Sequence, residues 1–552
     1  MNWYQNATFY HIYPLGLTGA PLQNPYAAPV PRLAALRPWV EHLAGLGCSA
    51  LYIGPLFESV GHGYETTDYR RLDSRLGTNE DLKAFVAFCH EKGVRVVLDA
   101  VFNHTGRDFF AFRDLRERRE ASPYRDWYRN VNFWADNGYH DGFSYETWGG
   151  YELLAKLNLQ NPAVVQYHLD TVRFWVEEFD VDGLRLDAAD VLDFGFMQAL
   201  RRVADEVKPE FWLMGEVIHG EYTRWVNAAM LHSVTDYHLH KALYSAHNDH
   251  NYFEVAHTVK RIRDMGLNRP GGPRLYSFAD NHDVERILTR LREKAHWVPL
   301  HILLYTLPGI PSVYYGSEFG VEGRKEHGSD DSLRPALNLT DYQNALRENP
   351  YTRLIAALGR LRQSVPALWA GDYRELQLTT RQYAFCRELE GMRVFVTVNN
   401  DSNAAELRVP AGDGSSYVGA LSGRRAEAAE GSFRFLVAGN SGEVWLPEGM
   451  YDPAAEPVLP EILQAPIQDR AGQDTPKEER KAPASEPVPK AEAAGPVAPP
   501  AGKPYEEMTV EELQGAILEK MAKNGPVTDR MRRDVTDNVW RDSLLNWVKS
   551  FR

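Results

Sequence analysis

From about residue 8 to residue 365, short apolar runs alternate with amphipathic helical stretches. Few folds accommodate that rhythm. Val94 to Leu98 follows a segment over 79–92 in which Leu82, Phe85, Val86 and Cys89 recur at helical spacing. Phe211 to Met214 follows the helical run after Asp193, and Arg274 to Phe278 follows another. Strands that alternate with helices pair in parallel, and eight such units close into a (β/α)8 TIM barrel, an α/β fold. The barrel is expected over 1–104 and 160–368. Residues 105–159, rich in aromatics, Arg and Gly, form a connection too long for a plain loop, so they read as an inserted domain. That insertion leaves the C-terminal end of a strand, the face on which barrels build their sites.

The pattern changes after residue 368. Gln382 to Glu388, Arg393 to Val398 and Glu443 to Pro447 alternate between turn signals, which gives a C-terminal antiparallel β-sandwich over 369–450. Residues 451–504 read as a Pro/Ala-rich linker. In the helical tail over 505–552, Thr509 and Glu512 make a capping box, and Val510, Leu513, Ile517 and Met521 follow at helical spacing. Val535, Val539, Leu545, Trp547 and Phe551 suggest a further amphipathic helix. So short a tail buries little surface by itself, and docking on a partner or a second copy is expected, with a helical tail of no role as the alternative.

A formal charge of −14 over 552 residues argues against nucleic acid and anionic membranes as partners. No apolar run is long enough to span a bilayer, and the start lacks the basic and apolar regions of a secretion signal. Cys48, Cys89 and Cys386 are few, odd in number and without metal-ligand spacing, so buried free thiols in a reducing cytoplasm are expected.

Four strand ends carry polar residues that burial would not select. They are Asp99 to His104 (Asp-Ala-Val-Phe-Asn-His), Gly183 to Asp187 (Gly-Leu-Arg-Leu-Asp), Gly215-Glu216, and Phe278 to Asp283 (Phe-Ala-Asp-Asn-His-Asp). One acid at a strand end is usually a helix cap or an ion-pair partner. Four acid-bearing ends on one rim, two with Asn-His and one with Arg, point instead to a site. Glycoside hydrolysis needs two carboxyls of different protonation state across the scissile bond. Asp187 is expected as nucleophile, kept ionised by Arg185 two residues earlier on the same face. Glu216, after an apolar strand, is expected as the acid, and Asp283 as the group that binds sugar hydroxyls. His104 and His282 are candidate hydroxyl donors to the same ring, with satisfied core histidines the equal alternative for each taken alone.

In this order the four blocks resemble glycoside hydrolase family 13, the α-amylase family, over roughly residues 5–450. His62-Gly63-Tyr64-Glu65 and Gly309 to Gly316 support the resemblance. It implies a domain B at the insertion, a Tyr64 that stacks on the sugar at the cleavage position, and donor-side contacts near Asp330, Asp331 and Arg334. Glu65 stands where the family usually has Asp. Lys156-Leu157-Asn158, the Asp-Ala-Val-Phe-Asn-His block and His219 look like the cyclomaltodextrinase, neopullulanase and maltogenic amylase group, without that group's N-terminal domain. Ile218 replaces that group's usual Trp, and Asp190-Val191 replaces the Lys-His typical of α-amylases. Calcium, common in the family through the position of Asn103, stays an open expectation with no confident ligand set; no organic cofactor is expected.

The expected function is a retaining α-glucoside hydrolase on maltooligosaccharides or cyclodextrins. Its alternatives are a glucanotransferase, or an α-glucosidase, sucrose- or trehalose-active enzyme on the same scaffold. A non-catalytic carbohydrate-binding or assembly subunit is the alternative of another class, and a homo-oligomer through the tail is the partner expectation.

Overall fold

The computed structural model describes residues 2–326, 329–411, 416–452, 456–459, 504, 505 and 508–523. Eight strands form the central sheet: β1 (Phe9–Ile12), β2 (Ala50–Ile53), β3 (Arg95–Ala100), β4 (Gly183–Leu186), β5 (Trp212–Gly215), β6 (Ser233–Val234), β7 (Tyr276–Phe278) and β8 (Ile310–Tyr314). Their order is β6-β5-β4-β3-β2-β1-β8-β7, and every pairing is parallel. A parallel bridge between Thr235 and Tyr276 joins the two ends, so the sheet closes on itself.

Period-two alternation then decides which side chains enter the lumen. Phe9, Ala50, Tyr52, Val97, Trp212, Met214, Tyr276, Phe278 and Ile310 fill its lower part as one apolar cluster. The next inward positions toward the strand C-termini are Asp99, Arg185, Asp187 and Glu216. Sequence period therefore converts directly into depth in the barrel.

The outer helices start where side chains can cap them. α1 (Arg37–Gly45) opens with Pro at its first turn. α2 (Asn79–Glu91) has a full capping box between Thr78 and Asp81, with Leu82, Phe85, Val86 and Cys89 buried. α3 (Pro162–Phe179) starts on Asn161, α4 (Phe194–Val207) on Asp193 and α5 (Tyr237–Asn248) on Asp236, each accepting a main-chain N–H. α6 (Phe253–Asp264) follows without a side-chain cap. In α7 (Trp297–Thr306) every residue but Val298 is buried, because this helix lies between the barrel and the sandwich. α8 (Pro350–Ser364) completes the ring.

The insertion holds a helix over Phe110–Arg118 and a small antiparallel sheet from His104–Thr105, Thr147–Trp148 and Tyr151–Lys156. His104 and Thr105 thus belong to the inserted sheet, one residue before the expected boundary.

Beyond the barrel come β9 (Asp372–Leu378), β10 (Gln382–Leu389), β11 (Met392–Asn399), β12 (Ala405–Pro410), β13 (Tyr417–Gly419), β14 (Arg425–Ala426), β15 (Ala428–Ala429), β16 (Ser432–Val437) and β17 (Ser441–Pro447). β9-β10-β11-β17-β13-β14 form one sheet and β12-β16-β15 the other. Alternate residues of the larger sheet face opposite ways. Tyr383, Phe385, Val394, Val396, Val444 and Leu446 join the barrel's core, while Cys386, Phe395 and Trp445 meet Leu407, Phe433 and Phe435 of the smaller sheet. Both faces of the sheet are therefore buried.

The three cysteines are buried free thiols. Among the described residues, no helix is long and apolar enough to cross a membrane. Residues 465–552 form a separate unit, in which α9 (Val510–Lys523) begins at the Thr509–Glu512 capping box, and Leu513 and Ile517 are buried. The side chains of Val510 and Met521, the second expected tail helix and most of the expected linker lie outside the described residues.

Trp445 stacks on Phe435 at 4.5 Å and donates to Thr397 Oγ1 at 3.0 Å inside the sandwich. Trp445→Ala is expected to cost about 3–5 kcal/mol, read as a lowered midpoint of the sandwich's transition in denaturant unfolding.

Candidate active site

β3, β4 and β5 lie side by side, with Asp99 in register with Arg185, and Arg185 in register with Met214. Arg185 therefore stands between two acid-bearing strands, and its planar fork reaches three carboxyls. Nη1 donates to Asp99 Oδ1 and to Asp187 Oδ1, each at 2.9 Å, and Nη2 meets Glu216 Oε1 at 2.9 Å. Its side chain is only 3% exposed, so these contacts sit in a low-dielectric wall where charge pairing is strong. One guanidinium thus brings Asp187 and Glu216 to the same mouth of the barrel.

The chain after Asp187 is shaped to hold Glu216. Ala188 adopts φ 47°, a left-handed conformation uncommon for alanine, and its N–H donates to Glu216 Oε2 at 3.0 Å. Tyr237 Oη lies 3.5 Å from Glu216 Oε1 and accepts from Asn281 Nδ2 at 3.2 Å. Glu216 is thereby fixed from two sides, and a donor stands on each.

Burial pushes the Asp187 carboxyl well above the usual carboxylate range, against the pull of Arg185 and with help from Glu216, Asp99 and Asp283. Arg185 was expected to keep Asp187 ionised. It falls short because its single charge is divided among three carboxyls.

Asp283 is set up the other way. Burial again pushes it up, but His282, Arg334 and Arg185 outweigh that and hold it well below the usual range. His282 Nε2 lies 3.0 Å from Asp283 Oδ2, and Arg334 Nη2 donates to Asp283 Oδ1 at 2.9 Å. Arg334 also donates through Nε to the His282 main-chain oxygen and reaches Asp330 Oδ2 at 3.3 Å. Asp283, His282, Arg334 and Asp330 thus form one cluster on the rim, with Asp283 ionised.

Tyr64 closes the floor on the other side. Its hydroxyl donates to Asp99 Oδ2 at 3.0 Å and bonds His282 Nε2, and its ring stacks on His282 with centroids 5.7 Å apart. Asp99 also accepts from Tyr52 at 3.0 Å. Glu65, at the family's usual Asp position, is buried and pairs with His62 Nε2 at 3.1 Å.

Two expected sugar contacts are placed differently from the rest. His104 is buried, with Nε2 bonded to the Tyr64 main-chain oxygen at 3.1 Å and Nδ1 facing Asn103 Nδ2 at 3.2 Å, so both ring nitrogens serve the fold here. Burial lowers its imidazole to about 3, which makes it neutral. His219 is exposed on the loop after β5 beside the exposed Ile218. Asp190, on the exposed rim, is pushed up to about 6 by the low-dielectric cleft wall and the charge of Glu216.

Asn103 is buried where the inserted sheet begins. Its amide nitrogen donates to His104 Nδ1 and its main-chain oxygen accepts from Leu157 N–H. Sequence reasoning missed Tyr52, Tyr237 and Asn281. Tyr237 follows the two-residue strand β6, too short for periodicity to register.

A model of the α-amylase catalytic domain matches residues 36–353. The chain is 31% identical to a cyclomaltodextrinase of Bacillus sp over 435 residues, covering 74% of this chain and 75% of that protein. It is 30% identical to neopullulanase 2 of Thermoactinomyces vulgaris, covering 73% of this chain and 69% of that one. A solved cyclomaltodextrinase superposes with TM-score 0.71 at 27% identity, over 80% of this chain and 78% of that one.

Gly54, just after β2, leaves room for Asp99: a Cβ there would lie 2.3 Å from the Asp99 Cβ. Gly54→Ala is therefore expected to cost about 1–3 kcal/mol by overpacking, measured as a lowered thermal midpoint, whereas an alanine at Gly449, where a Cβ meets nothing and the backbone is not left-handed, serves as the control.

Proposed function

This chain belongs to the α-amylase family, and from that premise we propose that it hydrolyses α-glucosidic bonds of maltooligosaccharides or cyclodextrins with retention of configuration. The observation that carries the reading is the single Arg185 guanidinium shared by Asp187 and Glu216. In this reading Glu216 is the proton donor on the leaving-group side. Glu216 gives its proton to the glycosidic oxygen as Asp187 attacks the anomeric carbon, so the C–O bond breaks and a β-linked glycosyl ester forms. Water then enters, Glu216 takes its proton, and the hydroxide oxygen displaces Asp187 to give an α-configured product. Asp283, held ionised by its basic neighbours, binds ring hydroxyls and favours the positive charge that develops on the ring.

Names of the relatives support the substrate class, since the two curated ones are a cyclomaltodextrinase and a neopullulanase. Arg334 and Asp330 support donor-side recognition, and Tyr64 with His282 offers an aromatic floor for one sugar face. Three buried thiols agree with a cytoplasmic setting. The tail over 505–552 is proposed as an assembly element. Light scattering on chains with and without it should give different masses, and equal masses reject that role.

Glu216→Gln is expected to lower kcat by about 10²–10⁴-fold while sugar binding is kept. Proton NMR of the first product formed by the unaltered enzyme should show the α anomer; a β anomer rejects retention. Longer oligosaccharides from maltotriose would mark transfer in place of hydrolysis.

The pH dependence follows from Asp187. Its carboxyl is raised, so the ionised nucleophile is lost as pH falls through that raised value. Asp99 is one of the charges that raise it, and it competes for Arg185. Asp99→Asn should therefore move the acid limb of the kcat/KM profile to lower pH, and a limb that moves upward contradicts this electrostatic account.

A further inference from the structure

Away from the barrel mouth, the loop after α5 and the segment before α7 bring His250, Glu293 and His296 together, with ligand-capable atoms all within 4.8 Å of one another. We propose that these three side chains bind a first-row divalent transition ion, zinc foremost, at the junction of the barrel with the sandwich.

Geometry favours the ion over a plain ion pair. His250 Nε2 lies 3.4 Å from Glu293 Oε1, and His296 Nε2 lies 3.7 Å from Glu293 Oε2. Bonds of about 2.0–2.2 Å to an ion at tetrahedral angles place neighbouring ligand atoms about 3.3–3.6 Å apart, so the His250 distance fits, and the 3.7 Å to the other Glu293 oxygen from His296 closes with a small turn of the carboxylate. The rings also have the backing that metal-bound imidazoles use, in which the second nitrogen donates to an oxygen. His250 Nδ1 bonds the Asn400 main-chain oxygen at 2.8 Å, which fixes the tautomer and leaves Nε2 free for the ion. His296 is 1% exposed, and its Nδ1 has no hydrogen bond; the neighbouring Asn440 side chain has a buried, unpartnered Oδ1 able to receive it. His296 Nε2 now rests 3.1 Å from the same Asn400 oxygen, a contact that the ion would replace.

The loops are held in place for this. Asn248 accepts from the Arg292 N–H at 2.9 Å and donates to the Arg290 oxygen at 3.1 Å, which ties the two segments together. His250 stands at φ 48°, a strained conformation for histidine that the surroundings enforce. The nearby His247 is no ligand, since Leu243 O and Tyr252 Oη occupy its two nitrogens. Imidazole nitrogens with one carboxylate suit zinc, cobalt or nickel rather than calcium or magnesium. Because Asn400 lies just beyond β11, a bound ion would fasten barrel loops to the sandwich.

The test uses the full-length, untagged protein, stripped with chelator and titrated with ZnCl2 by calorimetry and with CoCl2 by visible absorption. One site is expected, with a thermal midpoint that rises on zinc addition and d–d bands of a four- or five-coordinate cobalt ion. Glu293→Gln and His250→Asn should each weaken zinc at least tenfold and abolish the thermal shift. Asparagine tolerates the left-handed backbone at 250 and glutamine keeps the shape at 293, so both variants are expected to fold. Absence of saturable uptake, or an affinity unchanged in the two variants, overturns the proposal.

Discussion

A buried guanidinium with three carboxyls around it is the constraint on which the rest of this molecule depends. Arg185 cannot lose its charge, and Asp99, Asp187 and Glu216 supply its partners in the wall. Removing Arg185 would leave three carboxyls in the wall without their shared cation, at a cost of about 3–5 kcal/mol. With Arg185 in place, one positive charge faces three acids, and burial still raises Asp187. Stability and proton inventory come from the same few atoms.

The barrel makes this cluster unavoidable. Closure through Thr235 and Tyr276 turns every second residue inward, and the apolar layer from Phe9 to Ile310 stops short of the strand ends. Inward positions above that layer have neighbours on adjacent strands and open space ahead, so charge placed there is held on its sides and available in front. The sandwich contributes indirectly: the larger sheet covers α7 through β11 and β17, while Arg387 donates to the main-chain oxygens of Thr306 and Gly371. Rigidity at the barrel's outer wall supports the mouth from behind.

Much of this was legible in the residues. Strand-end acids are visible because burial excludes them elsewhere in an apolar run, and Arg185 to Asp187 reads as one face by simple period two. The helix starts at Thr78, Asp193 and Thr509 follow from capping chemistry. What periodicity could not supply is competition. That Arg185 serves three acids at once, and so leaves Asp187 raised, depends on register between strands far apart in sequence. Tyr237 and Asn281 were hidden for a related reason, because their meeting spans 44 residues and one of them follows a strand of two residues. His104 looked like a sugar donor on type and position, yet the Tyr64 carbonyl takes its N–H in this structure.

Two nearby acids have opposite settings: Asp283 is held low by its basic neighbours, and Asp187 is raised by burial. The assignment of attack to Asp187 is tested most directly by trapping. A 5-fluoro-α-glucosyl fluoride supplies its own leaving group and slows release, so the glycosyl ester accumulates on whichever carboxylate attacks. Mass spectrometry of the digested protein should find the added sugar on the peptide that contains Asp187. A label on Glu216 or Asp283, or none under conditions that inactivate the enzyme, would contradict the account.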